Sequence, residues 1–215
     1  MILEHRGKRP TIHASAYVAP TAVVCGEVSI GEHSRVLFGA VVAAEGGPVS
    51  IGSNCIVMEN AVIRGTPRHP ARLGHHILVG PHAHLTGCAV DDNVFLATGA
   101  VVHNGARIGS RAEVRINGVV HVEANVLPGA IVPIGWIAVG DPAQIVPPQE
   151  HDRIWSARGP ANLPLTVFGL EHSPTRESIM PELTRRYARA LGEHKNDQIV
   201  EIGDRGAEAR PPERG

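Results

Sequence analysis

Counting in sixes from Ile12 lands on Val18, Val24, Ile30, Val36 and Val42. A three-residue slip restarts the series at Ile51, Val57 and Ile63. Beyond residues 64–72 it resumes at Leu73, Val79 and Leu85. After one five-residue step it runs through Val90, Leu96, Val102, Ile108, Val114, Val120, Val126 and Val132. Every one of these positions is Val, Ile or Leu. Self-similarity at a fixed short period is the mark of a solenoid.

Each six-residue unit reads as a short strand and a turn, its aliphatic residue pointing inward. Three units close a triangular coil of about 18 residues, and coils stack at about 4.8 Å, the spacing of paired strands. Gly, Ala and Ser suit the corners, where a larger side chain would clash. One coil cannot bury its own aliphatic face, so stability grows by stacking. A β-sandwich would instead alternate with period two and turn every 8–12 residues, and that pattern is absent. The expected class is all-β with a C-terminal α-helix: a parallel β-helix, a triangular prism, over residues 10–146. The count does not fix its hand, since crossover rules favour right-handed connections.

After Val132 the period stops, and Gly135 to Ala143 reads as a terminating turn. Residues 147–172 are Pro-rich and read as irregular chain laid along the prism. Ser178 to Leu191 reads as a helix: Ser178 can cap it, Pro181 suits a first turn, and Gly192 follows its end. Ile179, Leu183, Tyr187 and Leu191 fall on one face, which predicts docking. Residues 147–202 are thus expected to form one segment packed on the prism. The polar, Gly- and Pro-rich residues 203–215 are expected to be disordered.

Composition and local sequence sharpen the picture in four respects. Hydrophobic residues make up 43% of the chain but aromatic residues only 3%, so the core must be aliphatic. The formal charge of −1 comes from interspersed acids and bases, which argues against a polyanion-binding surface and so against nucleic acid as a partner. The first ten residues, MILEHRGKRP, hold no apolar signal region, and no window nears 18 apolar residues. A membrane partner is therefore not expected, and the cytoplasm is the default location. Cys25, Cys55 and Cys88 are an odd, widely spaced set without a CxxC, which predicts neither a disulfide framework nor a cysteine-based zinc site.

Over about residues 10–145 the chain resembles the γ-class carbonic anhydrases. The resemblance rests on the block Ile51-Gly52 through Val102, on Glu59-Asn60-Ala61-Val62-Ile63-Arg64, on Gly80-Pro81-His82-Ala83-His84-Leu85-Thr86-Gly87-Cys88, and on the ending Trp136 to Ala143. It implies a left-handed β-helix and a homotrimer with active sites between adjacent prisms. There the family binds a divalent metal through three histidines, two from one subunit and one from its neighbour. Carried over, those ligand positions fall on Arg64, Pro81 and Thr86, the supporting Gln and Asp on Met58 and Glu59, and an R-G-D turn on Ala43-Ala44-Glu45. None of the three can replace imidazole at zinc. The family's zinc site is therefore expected to be lost, leaving no cofactor and no CO₂ hydration. Arg64 would then serve either as an interface ion pair or as a site for an anion.

Other candidate chemistry clusters on histidine. His75 and His76 are adjacent and point to opposite faces of a strand. His82 and His84 could share a face. The residue after each inward aliphatic on one prism face runs Cys25, Ala43, Arg64, Thr86, His103, His121, so His103 and His121 should lie on neighbouring rungs. They form a possible relocated metal site or, alternatively, a pair of stacked surface histidines. Prisms of this kind also serve acyltransferases, in which a cleft His acts as general base, so His82, His84, His103 and Glu59 are catalytic candidates. The expected ligand cleft comprises Arg64, Thr86, Pro81, Met58, Glu59 and Glu45, and would take a small anionic ligand or an acyl donor. The leading expectation is a binding, scaffolding or accessory trimer, and the rival is an enzyme reusing that cleft.

Overall fold

A computed structural model describes residues 1–158 and 176–200. Short parallel strands of two to four residues stack into three sheets, of ten, seven and seven strands among the described residues. Strands within each sheet are separated in sequence by one coil of the chain, as in Val41–Ala44, Val62–Gly65, His84–Thr86 and Val101–Val102. This is a left-handed parallel β-helix of triangular section.

The six-residue count holds along the prism. From Val24 to Val132 every position in the series is buried, while Ile12 and Val18, on the first coil, are half-buried against the core. Corners carry small residues such as Ala22, Ala40, Ala61, Ala83 and Ala100, all fully buried. Close stacking there leaves no space for a side chain: a Cβ on Gly65 would lie 2.2 Å from the Gly47 carbonyl oxygen.

The prism continues one strand beyond the expected stop. Ile137–Val139 pairs in parallel with Val119–Val120, and the chain then reverses so that Gln144–Val146 pairs antiparallel with it. Ala138 takes the inward place six residues after Val132 and is fully buried. A count restricted to large aliphatic residues passes over it.

The C-terminal part differs from expectation in several details. A seven-residue helix, His151–Ala157, lies in the segment read as irregular. The later helix spans Arg176–Leu191, starting before Ser178, so Pro181 sits inside it rather than in its first turn. On its apolar face Leu183 is half-buried, but Tyr187 and Leu191 are 43% and 42% exposed. A 3₁₀ turn, Gly192–Asn196, follows. Gln198–Ile199 then pairs antiparallel with Leu3 and Glu4 of the first strand, Ile2–Glu4, closing that edge of the ten-stranded sheet. The tail 203–215 and the Pro-rich stretch 159–175 lie outside the described residues. No helix among those described is long and apolar enough to cross a membrane.

Candidate functional site

Pairing in the ten-stranded sheet sets two outward columns side by side. One runs Val23, Val41, Val62, His84, Val101, Val119 and Ile137. In the other, Cys25, Ala43, Arg64 and Thr86 are partners in register. Val102 pairs with Val120, so His103 and His121, which follow them, occupy the next two rungs of that column. Alternation places both columns on the outer surface while Val42, Ile63, Leu85 and Val102 point inward.

At the middle of the second column Arg64 Nη2 lies 3.9 Å from Glu45 Oε1. Its Nε finds no hydrogen-bond acceptor among the described residues. Thr86 Oγ1 is 3.0 Å from His84 Nε2. Burial and then the Arg64 charge lower the His84 pKa below its ordinary value. Burial, followed by the neighbouring His121 and His84, does the same for His103. His121 is lowered by burial and by the charge of Arg158, against a raising backbone bond from Val122. The His103 and His121 rings are 6.3 Å apart between centroids and tilted by 56°. The His121 Nδ1 is buried without a partner among the described residues.

A single chain does not gather all the cleft candidates. Arg64, Thr86 and Glu45 stand together at one edge of the sheet. Met58, Glu59, Pro81 and His82 belong to the opposite corner, where the His82 N–H donates to the Glu59 carbonyl at 3.0 Å. Pro81 precedes the strand His84–Thr86, and Thr86 ends it. His75 and His76 are both exposed and belong to neither group.

The locus of Arg64, Pro81 and Thr86 does not fit a zinc ion. Guanidinium is permanently charged and has no acceptor, the proline side chain offers no donor atom, and the Thr86 hydroxyl already meets His84.

A second cluster lies at the N-terminal end of the same column. His5 Nδ1 is 2.6 Å from Asp197 Oδ1, and His194 Nδ1 is 2.7 Å from Asp197 Oδ2. The Cys25 thiol donates to Asp197 Oδ2 at 3.7 Å. His194 Nε2 lies 3.4 Å from Glu45 Oε2, which links this cluster to Arg64. The His5 and His194 rings stack at 4.3 Å. Burial would raise the Asp197 carboxyl, but the hydrogen bonds and charges of His194 and His5 outweigh it and hold it below the usual value. The Asp197 hydrogen bond raises His194 despite its partial burial. Burial, with Asp197 and then Glu45, pushes the Cys25 thiol up to about 12.

Sequence reasoning placed Cys25 on this column but missed the other three members. His5 and Asp197 are brought together by the pairing of Gln198–Ile199 with Leu3 and Glu4, which no periodicity announces. The one local signal was the three-residue spacing of His194 and Asp197.

No family model matches the chain. Among curated proteins it is similar to "Gamma carbonic anhydrase 1, mitochondrial" of Arabidopsis thaliana, 28% identical over 205 residues, covering 91% of this chain and 72% of that protein. It is also similar to "Carbonic anhydrase" of Geobacillus kaustophilus, 29% identical over 109 residues, covering 51% of this chain and 60% of that protein. Among solved structures it resembles a putative acetyltransferase of Bacillus cereus with a TM-score of 0.52 and 21% identity, covering 91% of this chain and 95% of that one. That last likeness is one of fold. The resemblance to γ-class carbonic anhydrases read from repeat and motif spacing is borne out over most of the chain.

Proposed function

We propose that this γ-carbonic-anhydrase-like prism works as a homotrimer that does not hydrate CO₂. In this reading it binds a small anion in the cleft between subunits, in a scaffolding or accessory role. The observation that carries the reading is Arg64 in register with Thr86, at rungs to which the family resemblance assigns metal ligands. Its side chain is 37% exposed and its guanidinium faces Glu45 only at a long 3.9 Å. A permanent cation there opposes a second cation and favours a carboxylate or oxyanion, which Arg can meet with two parallel N–H donors.

The trimer is supported by the chemistry of the three faces. The ten-stranded sheet turns out Val23, Val41, Val62, Val101, Val119 and Ile137. The sheet containing Tyr17–Val18 turns out Tyr17, Ile56 and Ile131, 40%, 39% and 48% exposed, with half-buried Leu78 and Phe95 and the two charged residues Arg35 and Glu113 in the same column. The remaining face turns out Thr11, Ser29, Ser50, Arg72, Arg107 and Asn125. Two unlike, mainly apolar faces and one polar face suit a closed ring, because each subunit then meets its neighbours through two different surfaces. Such a ring would bring the Met58, Glu59 and Pro81 corner of one prism toward the Arg64 edge of the next.

The rival reading is acyl transfer with His84 or His103 as general base. Their lowered pKa values suit a base that is neutral near pH 7. Against it, neither makes a hydrogen bond to a carboxylate among the described residues, so no carboxylate orients either imidazole; His84 Nε2 meets the Thr86 hydroxyl instead.

The test is calorimetric titration of the purified protein with bicarbonate and with inorganic phosphate, beside the Arg64→Ala variant. Saturable binding that Arg64→Ala weakens about tenfold or more, the scale of a charged hydrogen-bonding pair, supports the anion cleft. Equal binding by both proteins, or none by the wild type, overturns it.

A further inference from the structure

His5, Cys25, His194 and Asp197 each turn one donor atom toward a common point, and those four atoms lie within 4.8 Å of one another. We propose that they form a structural zinc site, with one divalent ion clamping the C-terminal segment to the first rungs of the prism.

The donor set selects the metal. Two imidazole nitrogens, a thiolate and one carboxylate oxygen suit zinc, whereas magnesium and calcium require oxygen ligands. Zinc bonds of about 2.0–2.3 Å in a tetrahedron separate the donors by about 3.3–3.8 Å. The Cys25 to Asp197 distance of 3.7 Å already falls in that interval. With Asp197 Oδ2 as the ligand oxygen, the His194 Nδ1 distance of 2.7 Å needs an opening of about 0.6 Å, while His5 Nδ1 meets the other oxygen, Oδ1, at 2.6 Å. In the metal-free arrangement Asp197 holds both imidazoles by their Nδ1 atoms, so both rings are already aimed inward.

Three further features point the same way. His5 and Cys25 are each 4% exposed, the Asp197 side chain 9% and the His194 side chain 32%, so three donors are buried, the fourth is partly covered, and all four positions come from protein. That is the closed coordination of a structural ion rather than the open position of a catalytic one. Glu45 lies behind His194 at Nε2, the carboxylate support that orients metal-bound imidazoles. The charges also close: a dication with one thiolate and one carboxylate is neutral, which suits a buried setting.

The consequence is topological. His5 and Cys25 come from the start of the prism, and His194 and Asp197 from the end of the chain. An ion shared by all four would tie together segments joined, among the described residues, by the short antiparallel pairing of Leu3 and Glu4 with Ile199 and Gln198.

The experiment uses the full chain, stripped with a chelator and titrated with Co²⁺ and then Zn²⁺. We expect one Co²⁺ per chain with near-ultraviolet sulfur-to-cobalt charge-transfer absorption, and a rise in Tm with Zn²⁺. Cys25→Ser should abolish that absorption, and His194→Gln, at a partly exposed position, should weaken binding about tenfold or more. Arg64→Ala should keep the absorption, which separates this site from the anion cleft. Circular dichroism melts verify that each variant is folded. Absence of thiolate–cobalt absorption in the wild type overturns the proposal, as does its persistence in Cys25→Ser.

Discussion

His5 and Asp197 stand 192 positions apart in the chain and meet at 2.6 Å, with side chains only 4% and 9% exposed. A buried carboxylate that bridges two imidazoles cannot lose its charge without stranding its partners. Asp197→Asn should therefore lower the unfolding free energy of the metal-free protein by about 1–3 kcal/mol. Urea unfolding of the two proteins measures this, and equal midpoints would mean that the contact contributes nothing.

The prism core makes a sharper prediction. Ile63 and Leu85 are fully buried on adjacent rungs. Truncating either to Ala removes packed methyl groups and leaves a cavity in a stack with little capacity to collapse, at a cost of about 2–5 kcal/mol. Gly65→Ala should also destabilise, by about 1–3 kcal/mol, because the new methyl group would meet the Gly47 carbonyl oxygen at 2.2 Å. Denaturant melts report both, and a neutral Gly65→Ala would show that the corner can spread.

Val62 and Val101 point outward, and in the proposed trimer they bear on association rather than on folding. Val62→Asp together with Val101→Asp should leave the β-sheet circular dichroism intact. The mass by light scattering should fall from that of a trimer to that of a monomer. A wild-type monomer would remove the intersubunit cleft altogether.

Three histidines on the ten-stranded sheet, His84, His103 and His121, have pKa values lowered from the ordinary 6.5. Below about pH 6.5 the unfolded chain takes up protons that the folded chain refuses. Their contribution is therefore complete above that pH and declines as the pH falls toward their folded values. His194, which is raised, acts with the opposite sign. The double variant His103→Gln, His121→Gln should flatten the loss of stability between about pH 7 and 5. An unchanged slope would show that these two imidazoles titrate as in the unfolded chain.

How far the sequence discloses all this depends on the range of the interaction. The prism was legible because its stabilising contacts repeat: Val24, Val42 and Ile63 each stack on the next coil, so the signal recurs down the chain. Ala138 escaped because an inward position at the terminal strand can be filled by a methyl group. The Arg64 and Thr86 rungs were legible through motif spacing. The cluster of His5, Cys25, His194 and Asp197 was not, since it depends on a single pairing between the two ends of the described chain. The start of the Arg176–Leu191 helix was misplaced because Pro181 can also occupy a helix interior when its missing N–H is tolerated.

CO₂ hydration followed by stopped flow, on protein dialysed in turn against Zn²⁺, Co²⁺ and Fe²⁺, bears most directly on the central claim. If, as proposed, Arg64, Pro81 and Thr86 take the positions of the family's ligand histidines, the rate should stay at that of buffer alone in every case. A rate that rises in proportion to protein concentration, and needs the metal, would contradict it.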